Sequence, residues 1–147
     1  MTVILSKLSE NLQELMAEHD LNQVTLAEKL HTGRSKFSDI LHTKNAPNYK
    51  TLIALIEYFS CSADFLLGLR EDPCDDINYR PVLPFGERLR DMLQQTSTSQ
   101  YEFIRTTNIS WSVLYHWLKG QSFPSADNLV KVARYFDCSV DFLLGRV

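Results

Sequence analysis

Cys61–Gly68 reads CSADFLLG, and Cys138–Gly145 reads CSVDFLLG. Each copy has the parts of one short helix. Ser62 or Ser139 can accept from the unpaired N–H groups at a helix start. Asp64 or Asp141 falls in the first turn, where the helix dipole favours an anion. Gly68 or Gly145 suits the left-handed position that ends a helix. Between them lie apolar residues for a core. The phrase is therefore a helix that closes a small core, and its persistence needs no catalytic role. The copies stand 77 residues apart, and that register holds upstream without a gap. Leu12 meets Leu89, Gln23 meets Gln100, and Leu41 meets Leu118. Pro47 meets Pro124, Leu52 meets Leu129, and Tyr58-Phe59 meets Tyr135-Phe136. The chain is two copies of a unit of about 60 residues.

Each unit reads as a succession of helices. In the first, Leu5, Leu8, Leu12 and Leu15 or Met16 recur at helical spacing. A second helix follows in LNQVTLAEKL, with Asn22 as N-cap and Leu26, Ala27 and Leu30 on one face. HTG breaks the chain, and RSKFSDILH resumes helix with Phe37, Ile40 and Leu41 inward. KNAPN is a loop, because proline disfavours helix in the residue before it. Asn48 caps YKTLIALIEYF, and Ser62 caps the closing helix. In the second unit ERLRDMLQQ, SQYEFIRTT and WSVLYHWLKG take the first three places. Phe103, Ile104, Leu114, Trp117 and Leu118 point inward there, NIS is the break, and Ser125 caps the fourth helix. Between the units, LREDPCDDINYRPVLP carries three prolines and four acidic residues, the composition of a linker.

Composition narrows the classes. Of 147 residues, 44% are hydrophobic and 22% charged, the balance of a soluble globular protein. No apolar run approaches the roughly 20 residues of a membrane span. The start MTVILSKLSENLQEL has no basic opening, and its apolar stretch breaks at Ser6 and Lys7, so no signal peptide is expected. Three cysteines form no CxxC pair and suit a reducing cytoplasm. Cys61 and Cys138 are expected as buried small hydrophobes. Cys74, in the linker, is expected at the surface without a redox role. The four histidines lack metal-ligand spacing and read as surface residues. No glycine-rich phosphate loop and no nucleophile elbow suggests an enzyme. Net charge is −3, split as −5 over residues 1–77 and +2 over 78–147. That is not the basic footprint of an overt nucleic-acid binder.

The second and third helices of each unit, joined by a tight break, make a helix-turn-helix. The turn needs a residue tolerant of left-handed backbone, and His31 and Asn108 stand there. The third helix then presents an outer face. In the first unit that face carries Arg34, Ser35, Ser38, Asp39 and His42; in the second, Trp111, Ser112, Tyr115, His116 and Lys119. A helix fits the major groove, where such side chains can bond base edges or phosphates.

Both units resemble the Cro/C1-type (XRE-like) helix-turn-helix domain of phage repressors and bacterial regulators. The resemblance rests on Gln23 and Gln100 opening the second helix, the LAEKL core, the NIS turn and the WLKG ending of the third helix. The Pro47 and Pro124 loops and the closing S-x-D-F-L-L-G complete it. It implies an all-α fold of two tandem five-helix, lambda-repressor-like domains, residues 1–68 and 85–147, joined by a linker at 69–84. It implies base readers at Arg34, Ser35 and Asp39 and at Trp111, Ser112 and His116. Phosphate contacts would be Gln23, His42 and Lys44, with Gln100, Lys119 and Gln121 as counterparts. Ser38 lies on the same face, and Lys36 and Tyr115 flank it.

The implied function is sequence-specific transcriptional regulation, as a repressor, in the cytoplasm. Double-stranded DNA is the partner, with no enzyme activity, cofactor, metal or membrane, and homodimerisation stays open. Two recognition helices could then reach successive major grooves about 34 Å apart. Some residues depart from the family pattern. Ile104 stands where Ala27 has the usual small side chain, Asp39 repels phosphate, and Trp111 offers apolar contact instead of a hydrogen-bond fork. From Asn22 to Lys50 the net charge is +3, whereas from Ser99 to Asp127 it is zero. The acidic total and Trp111 also fit an interaction or dimerisation module in which one or both units no longer read DNA.

Overall fold

The computed structural model describes residues 2–147, with side chains from Leu5 onward. Met1, where the first expected domain begins, lies outside them. The described residues form ten helices and no strand. The chain divides into two compact units, 1–78 and 79–147.

In the first unit the helices are α1 (Thr2–Glu18), α2 (Gln23–Lys29), α3 (Arg34–Leu41), α4 (Tyr49–Phe59) and α5 (Ala63–Leu66). The expected caps are present. Asn22 accepts from the Thr25 N–H, Asn48 from Thr51, and Ser62 from Phe65. Gly68 ends α5 at φ +80. α1 packs on α3 and α5, and α2 packs on α3. The helices of this unit bury Leu8, Leu12, Leu26, Ala27, Phe37 and, from α4, Leu52 among others. Burial of that apolar area is the main stabilising term, at about 25 cal/mol per Å².

The second unit comprises α6 (Phe85–Gln95), α7 (Gln100–Thr107), α8 (Trp111–Leu118), α9 (Ala126–Tyr135) and α10 (Val140–Leu143). Ser99, Ser110, Ser125 and Ser139 cap the last four. Its core is held in part by aromatic pairs. Phe85 meets Trp117 edge to face at 5.6 Å, and Phe103 stacks on Phe136 at 5.9 Å. These two pairs hold the corners where α8 and α9 meet the other helices.

One difference fixes how closely α6 approaches α8. A Cβ on Gly86 would lie 2.5 Å from the Trp117 carbonyl oxygen, so only glycine permits this approach. The equivalent residue in the first unit is Ser9, whose hydroxyl donates to the Leu41 carbonyl. Side chains of the first helix hold the same carbonyl in both units. Gln13 Nε2 donates to Leu41 O at 3.4 Å, and Arg90 Nη2 to Leu118 O at 3.2 Å.

The proline-rich stretch is packed against the units rather than standing off them. The Ser62 N–H donates to the Pro73 carbonyl at 2.8 Å, and Cys74 is buried. The expectation of an exposed Cys74 is thereby corrected: docking of 72–74 on the start of α5 covers it. Further along, Arg80 N–H donates to Arg146 O and Leu83 N–H to Leu144 O. Cys61 is fully buried as expected, but Cys138 is only half-buried. Ile104 and Leu118, expected inward, are also half-buried, because each lies at the edge of its helix's apolar stripe.

Candidate nucleic-acid interface

Each unit presents a pair of short helices joined by a left-handed residue. Asn108 adopts φ 61 and ends α7, with Ser110 capping α8 two residues later. His31 adopts φ 55 between α2 and α3. Both were expected from residue type, since Asn and His tolerate the left-handed region better than branched residues do. Gly33 precedes α3 in extended backbone and gives it no side-chain cap.

In the second unit the expected residues converge. Leu114 and Trp117 anchor α8 inward, which leaves Trp111, Ser112, Tyr115, His116 and Lys119 exposed. At 100° per residue these five fall within one arc of α8. Trp111 is 51% and Tyr115 55% exposed, so two large rings stand in solvent on one face. The Lys119 ammonium lies 5.6 Å from the Tyr115 ring centroid, and the His116 ring meets Tyr115 edge to face at 5.5 Å. His116 Nδ1 is 2.6 Å from the Ser112 carbonyl oxygen. α8 itself carries no carboxylate. Gln100 is exposed at the start of α7, and Gln121 is exposed beyond α8.

The first unit arranges its equivalents differently. Arg34 Nη2 lies 3.1 Å from Glu28 Oε1, so its guanidinium is already partnered from α2. Asp39 is half-buried and accepts from Asn45 Nδ2 at 3.5 Å. His42 Nδ1 lies 2.8 Å from the Ser38 carbonyl oxygen. Ser35, Lys36 and Lys44 are exposed, and Gln23 and Ser38 are half-buried.

The structure adds residues that the sequence reading missed. A cleft of about 250 Å³ between the α2–α3 turn and α4 gathers His31, Lys36 and Lys50, with Asn48 and Thr51 beside them. Lys50 sits at the start of α4, outside the α2–α3 pair, so no motif points to it. Its equivalent in the second unit is Asp127.

Residues 88–147 match the Cro/C1-type HTH DNA-binding domain. That span holds α7, α8 and every exposed residue of the α8 face named above. Over 79 residues the chain is also 27% identical to an uncharacterized HTH-type transcriptional regulator, YobD, of Bacillus subtilis (strain 168). The shared stretch covers 54% of this chain and 70% of that protein. No solved structure matches the chain. Among the described residues, no helix is long and apolar enough to cross a membrane.

Proposed function

We propose that the protein is a sequence-specific DNA-binding transcriptional regulator that acts in the cytoplasm as a repressor. The observation that carries this reading is the outward arc of α8. Trp111, Ser112, Tyr115, His116 and Lys119 share one exposed face of the second helix of a helix-turn-helix, within the span that matches a DNA-binding domain. α8 would lie in the major groove with Trp111 and Ser112 near base edges. Gln100, Lys119 and Gln121 would take phosphates, which fix register without reading sequence.

The α2–α3 pair would supply the second half of a composite site. Arg34, Ser35 and Asp39 would face bases, with Ser38 on the same face and Lys36 flanking it, and Gln23, His42 and Lys44 would face phosphates. The helical bodies at 1–68 and 85–147 then act as two readers on one chain, and the stretch at 69–84 tethers them. Tethering raises the effective concentration of the second contact. The readout residues of the two units differ, so the site is not a perfect palindrome. Occupying a promoter blocks polymerase.

One observation favours a second reading for the first unit alone. Its arginine is partnered by Glu28, and Asp39 stands on the reading face. A carboxylate there repels phosphate, and the unit would then serve dimerisation or bind a protein partner.

Selection from random duplexes at two salt concentrations separates these readings. A bipartite motif whose affinity falls steeply with salt supports two readers. A single half-site assigns reading to one unit. Absence of any salt-dependent retention at micromolar protein overturns DNA recognition by this chain.

A further inference from the structure

We infer that α8 recognises A·T base pairs through the thymine C5 methyl, with Trp111 and Tyr115 as its specificity-determining residues; the inference rests on the DNA-binding reading above. Two chemical features of the α8 face carry it, and they point to the same base pair.

The first is the pair of exposed rings. Trp111 opens α8 and Tyr115 stands one turn later on the same stripe. In the major groove G·C presents only polar donors and acceptors on its edge, whereas A·T adds a methyl group. An indole pressed against a guanine edge would strip water from N7 and O6 without replacing both bonds, which costs free energy. Against thymine the same ring covers an apolar group. Tyr115 is held ready for this contact, because the Lys119 ammonium and the His116 ring both pack against it. That packing limits the rotamer entropy lost on binding. The face carries Lys119 and no carboxylate, which suits a polyanion.

The second feature is the hydrogen-bonding sense of His116. A carbonyl oxygen only accepts, so the Nδ1 that lies 2.6 Å from Ser112 O carries the hydrogen. In the neutral ring Nε2 is then an acceptor. In the groove it can take a hydrogen from adenine N6 or cytosine N4. Adenine is the partner of thymine, so methyl contact and amino contact are met together by A·T pairs. The equivalent face of α3 carries Arg34, Ser35, Ser38, Asp39 and His42 and has no tryptophan or tyrosine, so the methyl preference belongs to the second unit.

Uracil tests this directly, because it lacks the methyl and keeps every hydrogen-bonding group of thymine. Duplexes selected by the full chain would be resynthesised with deoxyuridine at each thymine in turn. The expected result is A·T pairs in the second unit's half-site and a loss of about four-fold in affinity at each contacted thymine. In Trp111→Ala or Tyr115→Ala protein the ratio between thymine and uracil duplexes should fall toward one at the matching position. Both side chains are exposed, so these variants should keep the helical circular dichroism of the parent. Salt-dependent binding that is equally strong to thymine and uracil duplexes would overturn the methyl contact and leave DNA recognition standing. Failure to retain any duplex would overturn both.

Discussion

Arg146 Nη1 lies 2.6 Å from Asp141 Oδ1, and both side chains are almost wholly withdrawn from solvent, at 2% and 4% exposure. The guanidinium also sits over the Tyr79 ring, 4.0 Å from its centroid. The Arg146 carbonyl accepts from the Arg80 N–H. One residue thus ties the end of α10 to the strand of chain that enters the second unit. Breaking a buried pair leaves a desolvated charge behind, which costs about 3–5 kcal/mol. Arg146→Ala should therefore lower the melting temperature of the second unit sharply, as read by calorimetry on the full chain. Asp141→Leu with Arg146→Met should recover most of the loss, since apolar replacement of both partners is often neutral. Equal stability of Arg146→Ala and the parent would show that the pair contributes little.

Helices α3 and α8 differ at their N-cap residues, and this gives a second prediction. Ser110 caps α8 by accepting from the Val113 N–H at 3.2 Å, whereas Gly33 offers α3 no such bond. Gly33 has φ −61, and a Cβ there would meet nothing within 4 Å. Gly33→Ser should stabilise the first unit by roughly 0.5–1 kcal/mol, from the new cap and a less flexible unfolded chain. Ser110→Ala should destabilise the second by about 1 kcal/mol. Urea titrations of both variants check the opposite signs.

Much of this fold is legible in the residues themselves. Capping serines, asparagines and the terminal glycines act locally, so each cap expected at Asn22, Asn48, Ser62 and Ser125 forms. The left-handed turn at His31 and Asn108 is legible for the same reason. The burial of Cys74 is not, because it depends on the Pro73 carbonyl finding the Ser62 N–H eleven positions away along the chain. The Arg34–Glu28 pair is equally invisible, since the two lie on different helices. Only the folded turn brings them within reach, and it changes what Arg34 has free to offer a base.

Tyr49 gives a prediction for alkaline solution. Burial, and next the charge of Glu57, push its hydroxyl from 10.0 up to about 12. The folded state therefore favours the neutral phenol. Its contribution to stability is complete below pH 10 and is lost as pH rises from 10 to about 12. The equivalent residue of the second unit is Ala126, which cannot titrate. Thermal melts between pH 9 and roughly 11 should show the first unit losing stability ahead of the second. Tyr49→Phe should flatten that difference, and an unchanged slope would refute it.

The last prediction concerns whether the first unit touches DNA at all. Asp39 stands at the register of His116, and its carboxylate would lie in the groove if α3 enters it. Asp39→Asn removes one negative charge and keeps the side chain's size. If α3 lies on DNA, affinity should rise, because a repulsion with phosphates is removed. The selected base should also change, because an amide prefers adenine where a carboxylate accepts from cytosine. Lys119→Ala supplies the matching control in the second unit. It should weaken binding to all sequences alike and reduce the salt slope by about 1. A protein whose affinity and selected motif are indifferent to Asp39→Asn, yet sensitive to Lys119→Ala, reads DNA through α8 alone. The α3 face would then be free to meet a different partner, and its carboxylate would no longer conflict with its place in the fold.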